Sequence, residues 1–542
     1  VTTLSRYYHT VRYLRPIQIA GRLRLALPKP RPDLRPPPPV RRPCARYTAP
    51  AAPQPSLVAP DTFRLLNVER RCQHAADWQP PDAAELWTYH LHYFDDLNAR
   101  DAAARASWHR ELLSRWVREN PPARGPGWDP YPLSRRVVNW IKWTLGGEKL
   151  PALCQASLAV QARWLMRRLE HHILGNHLLA NAKALVYVGV YFAGPEADRW
   201  YDRGITLIER ELREQVLSDG GHFELSTMYH AAALADVLDL INILTAFGRA
   251  VPGHWLELVA RMRSWLAAMT HPDGAIAFFN DAAFDMAPTR GELEEYAQRL
   301  QLPAAPLPPT PLAILAASGY LRAALGPAYL ICDCGSVGPD YLPGHAHADT
   351  LSFELSIAGR RVFVNSGTSR YGADAERERQ RGTAAHNSVV IDGADSSEVW
   401  SGFRVARRAR AQLRRTSETQ TSVYIEGSHD GYYRLPGRNE HLRCWGLDRH
   451  SLRIDDRVTG ACSAAEARLF LHPEVSVQPA ADGVMNLILA TRRIATVAFE
   501  GAASVAVEPT TWHPRFGVAI PNLCLIARLA GPALVTRVCW EA

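Results

Sequence analysis

Lysine is almost missing from this chain of 542 residues. It occurs only at Lys29, Lys142, Lys149 and Lys183, so the basic side chains are nearly all arginine. Cysteine is sparse and unpatterned. Nine are scattered with no CxxC spacing, which argues against a disulfide framework or a zinc ribbon and leaves free buried thiols as the reading. Long apolar runs are missing too. The longest, Ala184–Gly194, is well short of the ~20 residues a spanning helix needs, so no transmembrane segment is expected. The basic N-terminus lacks an uninterrupted apolar stretch and a small-residue cleavage site. No secretory signal is read there, so the chain reads as cytoplasmic, or as periplasmic if its N-terminus is processed or truncated. Zinc-finger, RRM and basic-zipper patterns are absent and the positive charge forms no single block, so nucleic acid is not expected as a partner.

What is present is a globular composition. Hydrophobic residues make up 47% and charged residues 21%, which excludes global disorder and leaves room for two or three domains. The net charge is +8. A coding bias toward arginine accounts for much of that; the functional reading is a surface that attracts an anionic polymer, since the guanidinium fork pairs with carboxylate or sulfate through two hydrogen bonds.

Two proline clusters divide the chain. Residues 28–60 cannot form a regular helix or an interior strand, so residues 1–60 read as a basic, proline-rich arm. From about 80 to 300 apolar residues recur at three- and four-residue spacing, as in Leu112/Leu113/Trp116 and Leu234/Val237/Leu238/Ile241, which predicts paired helices in an array or ring. After the second cluster at 302–312 the period becomes 2, as in Leu351/Phe353/Leu355/Ile357. Residues 311–542 therefore read as an antiparallel β-sandwich, and a cleft between the two halves is the expected ligand site.

Four stretches carry candidate chemistry. Gly175-Asn176-His177 opens or lies within a helical segment, where Asn and His are not favoured by propensity. Glu224, Ser226 and Tyr229 precede another helix. His345, His347 and Asp349 alternate with alanines, and in an extended chain they share one face, as metal ligands or acid/base groups would. Asn365, Tyr371 and His386 follow, and His386 offers a further ligand from a neighbouring strand.

These stretches, with GWDPYPLSRRVVNW at 127–140, together resemble the heparinase II/III superfamily of polysaccharide lyases. The resemblance implies an N-terminal incomplete (α/α) toroid (61–310), followed by a C-terminal antiparallel β-sandwich (311–542). It implies β-elimination on a uronate-containing acidic polysaccharide, with no cofactor required for the chemistry. Asn176 and His177 would neutralise the uronate carboxylate, Tyr229 would serve as base or acid, and His345 as base or carboxylate partner. Arg136, Tyr371, Glu224 and Trp128 would bind substrate. Several relatives hold a structural zinc with the second His of HxH, an Asp and a later His. Here His347 and His386 match, but Asn365 stands at the Asp position, a poor zinc ligand. That leaves a weakened site, a site completed by Asp349, or no metal. Two other functions stay open: a non-catalytic polysaccharide-binding or assembly protein of bacterial exopolysaccharide production, and a glycoside hydrolase. The latter would need two carboxylates ~5–10 Å apart, for which Glu224 and Asp281 are nominal candidates.

Overall fold

The computed structural model describes residues 3–480 and 483–541, and in it the change of period is a change of architecture. Helices dominate from Glu85–Leu91 to Arg290–Arg299, and strands take over at Leu312–Leu315. The long helices form an incomplete (α/α) toroid. Helix Gly175–Tyr191 is buried almost throughout and packs on Pro130–Leu145, Pro195–Gln215 and Thr227–Ala246. Trp140 and Trp164, from the adjoining helices Pro130–Leu145 and Ala152–Arg167, belong to the same core. Helix Thr227–Ala246 is long and apolar enough to cross a bilayer, but 78% of that stretch is buried among its neighbours, as befits a core helix.

Among the described residues the β half contains four antiparallel sheets, one of them the two-stranded pair Val399–Trp400 and Arg404–Val405. Five strands from Leu312–Leu315 to Arg360–Phe363 form a meander in chain order, beside an eight-stranded and a four-stranded sheet. Leu330, Phe353, Leu355, Trp445, Ile454 and Leu525 join the sheets in one core. The turn at Ala358-Gly359 has positive φ at both residues (49° and 77°) and pairs Ile357 with Arg360, the signature of a type I′ hairpin. All nine cysteines are free.

The arm is only partly extended. Helices Thr3–Val11 and Pro16–Ala26 precede the proline-dense stretch. That stretch then lies along the toroid, where the Arg41 N–H donates to the Tyr191 carbonyl (2.7 Å) and the Asn242 amide clamps the Thr48 backbone. A three-stranded sheet over Leu57–Arg71, unread in the sequence, follows it. The two halves meet along the segment Phe278–Asp281. The Asp281 N–H donates to the His345 carbonyl (2.9 Å), and the Asn280 N–H to the Asp349 carboxylate (2.8 Å). This seam places the HxHxD segment against the toroid.

Candidate active site

The toroid contributes two helix starts. Ser226 caps helix Thr227–Ala246 by accepting the Tyr229 N–H (3.1 Å), which fixes Tyr229 in the first turn. Helix Gly175–Tyr191 begins at Gly175, whose φ is +55°. A Cβ there would lie 2.2 Å from Leu342 and 2.9 Å from the Glu224 carboxylate, so no larger residue fits. Asn176 and His177 follow in the first turn, half-buried, where the helix dipole favours a negative ligand. His177 Nδ1 donates to Glu170 (3.0 Å), leaving Nε2 free of that bond, and Tyr131 lies over its ring at 4.4 Å. Burial alone would lower the His177 pKa, but the carboxylates of Glu170 and Glu224 outweigh it and the net shift is upward.

The β half supplies the facing wall. The His345 ring stacks on Tyr229 with centroids 3.9 Å apart, and the Tyr229 and Tyr371 hydroxyls are hydrogen-bonded at 3.0 Å. Burial, and then the neighbouring Tyr371, push the Tyr229 pKa well above that of a free phenol. His345 Nδ1 donates to Asp281 (2.8 Å), and its Nε2 lies 3.6 Å from Glu224 Oε2, a buried oxygen with no hydrogen-bond partner. Asp281 is wholly buried. Burial raises its pKa, but Arg377 and the imidazoles of His345 and His347 hold it well below the usual carboxylate range. Arg377 grips it through both guanidinium nitrogens. An ionised Asp281 accepts only, so neutral His345 carries its proton on Nδ1 and a lone pair on Nε2.

His345 and His347 do point to one place, since both imidazoles bond Asp281, but the backbone there is irregular and the strand begins only at Phe353. Asp349 turns to the Asn280 backbone. One ligand atom each from His347, Asp349 and His386 lie within 4.8 Å of one another. His347 Nε2 donates to Asp281 (2.9 Å) and His386 Nδ1 donates to Asn365 Oδ1 (3.3 Å). Asn365 is oriented by its own amide, which donates to the Phe278 carbonyl (2.8 Å). The remaining ring nitrogens, His347 Nδ1 and His386 Nε2, then face each other at 3.3 Å with lone pair against lone pair. A cation relieves that repulsion, so these residues fit a zinc ion. Of the donor sets left open by the sequence, the geometry favours the one completed by Asp349: the Asn365 oxygen is occupied in aiming His386, and Asp349 is the carboxylate that would complete the set.

Three expected substrate contacts are corrected by burial. Arg136 is wholly buried. It bonds Gln161 (3.1 Å) and the His92 carbonyl (3.2 Å) and lies 3.8 Å over the Trp116 ring, so it cannot bind substrate. Trp128 is a core residue whose indole N–H donates to the Asn120 carbonyl (3.2 Å). Glu224 is in the site but 2% exposed; it accepts the Asn176 N–H (3.3 Å) and faces His345, so it supports the site rather than binding sugar. Arg135 is the half-buried arginine of the pair and the more accessible one. It lies beside Tyr93, whose ring meets Tyr131 and so leads to His177. Arg135, Glu170, Arg377 and the positioning role of Asp281 went unread in the sequence.

A helical toroid closed on a β-sandwich, with a tyrosine and a histidine meeting in the cleft, is the build of the toroid-plus-sandwich polysaccharide lyases. The chain belongs to the heparinase II/III superfamily: residues 147–300 match the "Heparinase II/III N-terminus" family and residues 307–540 the "Heparinase II/III-like, C-terminal" family. It is 28% identical over 253 residues to a heparin-sulfate lyase of Bacteroides stercoris, a stretch covering 42% of this chain and only 37% of that enzyme. It is 28% identical over 463 residues to FtsZ-localized protein C of Caulobacter vibrioides, covering 79% of this chain and 77% of that protein. The crystal structure of heparinase III superposes with a TM-score of 0.69 at 19% identity, over 85% of this chain and 79% of that one.

Proposed function

We propose that the chain is a lyase that cleaves a uronate-containing acidic polysaccharide by β-elimination. The observation that carries the reading is the stacked pair Tyr229–His345 at 3.9 Å, with Asn176 and His177 half-buried at a helix start on the toroid wall. A uronate C5 proton is too weakly acidic to remove until the carboxylate is neutralised. The Asn176 amide, the His177 imidazolium and the helix N-terminus supply that neutralisation. His345 Nε2 takes the C5 proton, and the resulting imidazolium lies between Asp281 and Glu224. Tyr229, kept a phenol by burial, protonates the departing O4, and Tyr371 passes a proton back through the shared hydroxyl bond. The bond between C4 and O4 breaks as the C4–C5 double bond forms.

Rings 3.9 Å apart leave no room for a sugar between them, so base and acid work from one side of it. That suits substrates whose C5 proton and O4 lie on the same ring face, the relation found in glucuronate and mannuronate. Zinc, if bound, would be held by His347, Asp349 and His386, and its part would be structural rather than catalytic.

The test is the purified chain on a panel of glucuronate, mannuronate, iduronate and guluronate polymers, read by ultraviolet absorbance of an unsaturated end. Release from the first two supports the reading. No release from any polymer favours the second reading, a non-catalytic polysaccharide-binding protein. The long match to a relative named for its localisation with FtsZ is what keeps that reading open.

A further inference from the structure

We propose that the two N-terminal helices dock this protein onto the surface of an anionic lipid bilayer. Of the 21 exposed large hydrophobic residues among those described, nine lie in the first 27 positions. Their spacing is ordered. In helix Pro16–Ala26 and its C-cap, Ile19, Leu23 and Leu27 follow at four-residue steps and so share one face; they are 46%, 69% and 63% exposed. In helix Thr3–Val11, Leu4, Tyr8 and Val11 follow at steps of four and three and share a face, at 81%, 64% and 49% exposed. A helix packed on a protein ordinarily turns its apolar stripe inward. Here the inward face of Pro16–Ala26 is polar or small: Gln18 is buried and donates to the carbonyls of Ile173 (3.4 Å) and Tyr341 (3.2 Å), and Gly21 lies against His172. Helix Thr3–Val11 is seated by Tyr7 against Trp400 (5.0 Å) and by Thr10, which accepts the Trp400 indole N–H (3.3 Å). Both helices are thus held to the body by one side while the apolar stripe faces solvent.

The charge identifies the occupant. Residues 1–32 carry six arginines and one lysine, with no aspartate or glutamate. Arg22 and Arg24 lie one position to either side of Leu23; both are exposed, though Arg24 donates to the Arg167 carbonyl (3.3 Å), and long side chains so placed can rise from the flanks of an inserted stripe to lipid phosphates. An apolar protein partner would need only the stripe; a stripe edged with arginine on a segment without acid suits an anionic interface. The docking is peripheral, since each helix is far too short to span.

The experiment is co-sedimentation of the full chain with phosphatidylcholine vesicles, with and without about 40% phosphatidylglycerol, at low salt and at about 0.5 M NaCl. The triple variant Leu4→Glu/Leu23→Glu/Leu27→Glu alters only exposed side chains, and an unchanged thermal unfolding midpoint checks its fold. The proposal expects pelleting with anionic vesicles, weakening at high salt, and at least about a tenfold weaker partition for the triple variant. A wild-type chain that stays in the supernatant with anionic vesicles overturns it, as does a triple variant that binds equally well. A dimer in light scattering that the triple variant dissolves, with no vesicle binding, overturns it in favour of a second copy of the chain. A double variant Arg22→Ala/Arg24→Ala that binds neutral and anionic vesicles alike, while wild type prefers anionic ones, supports the role of the arginines.

Discussion

Replacing Glu170 by Gln tests how the site handles the substrate carboxylate. Glu170 is buried and accepts from His177 Nδ1 (3.0 Å) and from the Asn181 amide (2.9 Å), so glutamine keeps the shape and removes the charge. In the wild type the carboxylates raise the His177 pKa against burial; without Glu170, burial dominates and the pKa falls below that of free histidine. A carboxylate at this range commonly moves a neighbour by about 1–3 pH units. The sign follows directly. Imidazolium is the form that can donate from Nε2 while Nδ1 is held by Glu170, so activity falls as pH rises through the His177 pKa. In Glu170→Gln that alkaline limb moves about 1–3 units toward acid. The pair's contribution to stability is fully present below the unfolded histidine pKa and is lost as pH rises through the raised folded value; the variant lacks that pH dependence. Profiles of kcat/KM against pH, with histidine ring titration by NMR, provide the measurement. Coincident alkaline limbs and an unmoved His177 resonance would refute the reasoning.

Four other outcomes are expected. Tyr229→Phe lowers kcat by about 100- to 10,000-fold with an unchanged unfolding midpoint, because only the proton donor is lost; a fully active variant removes its role. Arg377→Met leaves buried Asp281 without its guanidinium, with only the imidazoles of His345 and His347 beside it, and destabilises the fold by about 3–5 kcal/mol in denaturant melts; a change near zero would mean that the pair is not what holds Asp281 ionised. Arg135→Ala raises KM more than it lowers kcat, whereas Arg136→Ala lowers the unfolding midpoint instead; the reverse pattern would exchange their assignments. Metal analysis finds zinc with the wild-type chain and loses it in His386→Ala and Asp349→Ala, while Asn365→Ala weakens it only by misaiming His386. Zinc unaffected by Asp349→Ala would restore Asn365 as the third ligand.

The sequence was most informative where period and chemistry agreed. The shift from helical to alternating spacing near 302–312 is the boundary between toroid and sandwich, because burial on one face leaves its period in any chain. Tyr229 and His345 were singled out through the family resemblance, and the structure brings their rings to 3.9 Å; the roles of these two, and of Asn176 and His177, belong to the proposal. The Arg135/Arg136 pair shows the limit. Leu133, Val137 and Trp140 set the buried phase, and Arg136 is one step from Val137 on that face, but a buried guanidinium stacked on Trp116 is a tertiary event. Trp128 failed for the same reason: an indole beside a motif looks like a sugar platform until its neighbours Trp116 and Trp164 enclose it. Asp281 is 64 residues from His345, and only the seam along Phe278–Asp281 brings them to hydrogen-bonding distance. The outward stripe of the first helices was hidden because periodicity shows that a face is apolar, not which way it points.

The central claim is that one imidazole and one phenol, side by side, remove a proton and return one without adding water. Mass analysis of the oligosaccharides released from a glucuronate polymer tests it most directly. Fragments lighter by one water than the saturated oligosaccharides, the loss lying at the new non-reducing end only, formed by wild type and missing with both His345→Ala and Tyr229→Phe, are the predicted result. Saturated fragments carrying an added water, or release undiminished in those two variants, would contradict it.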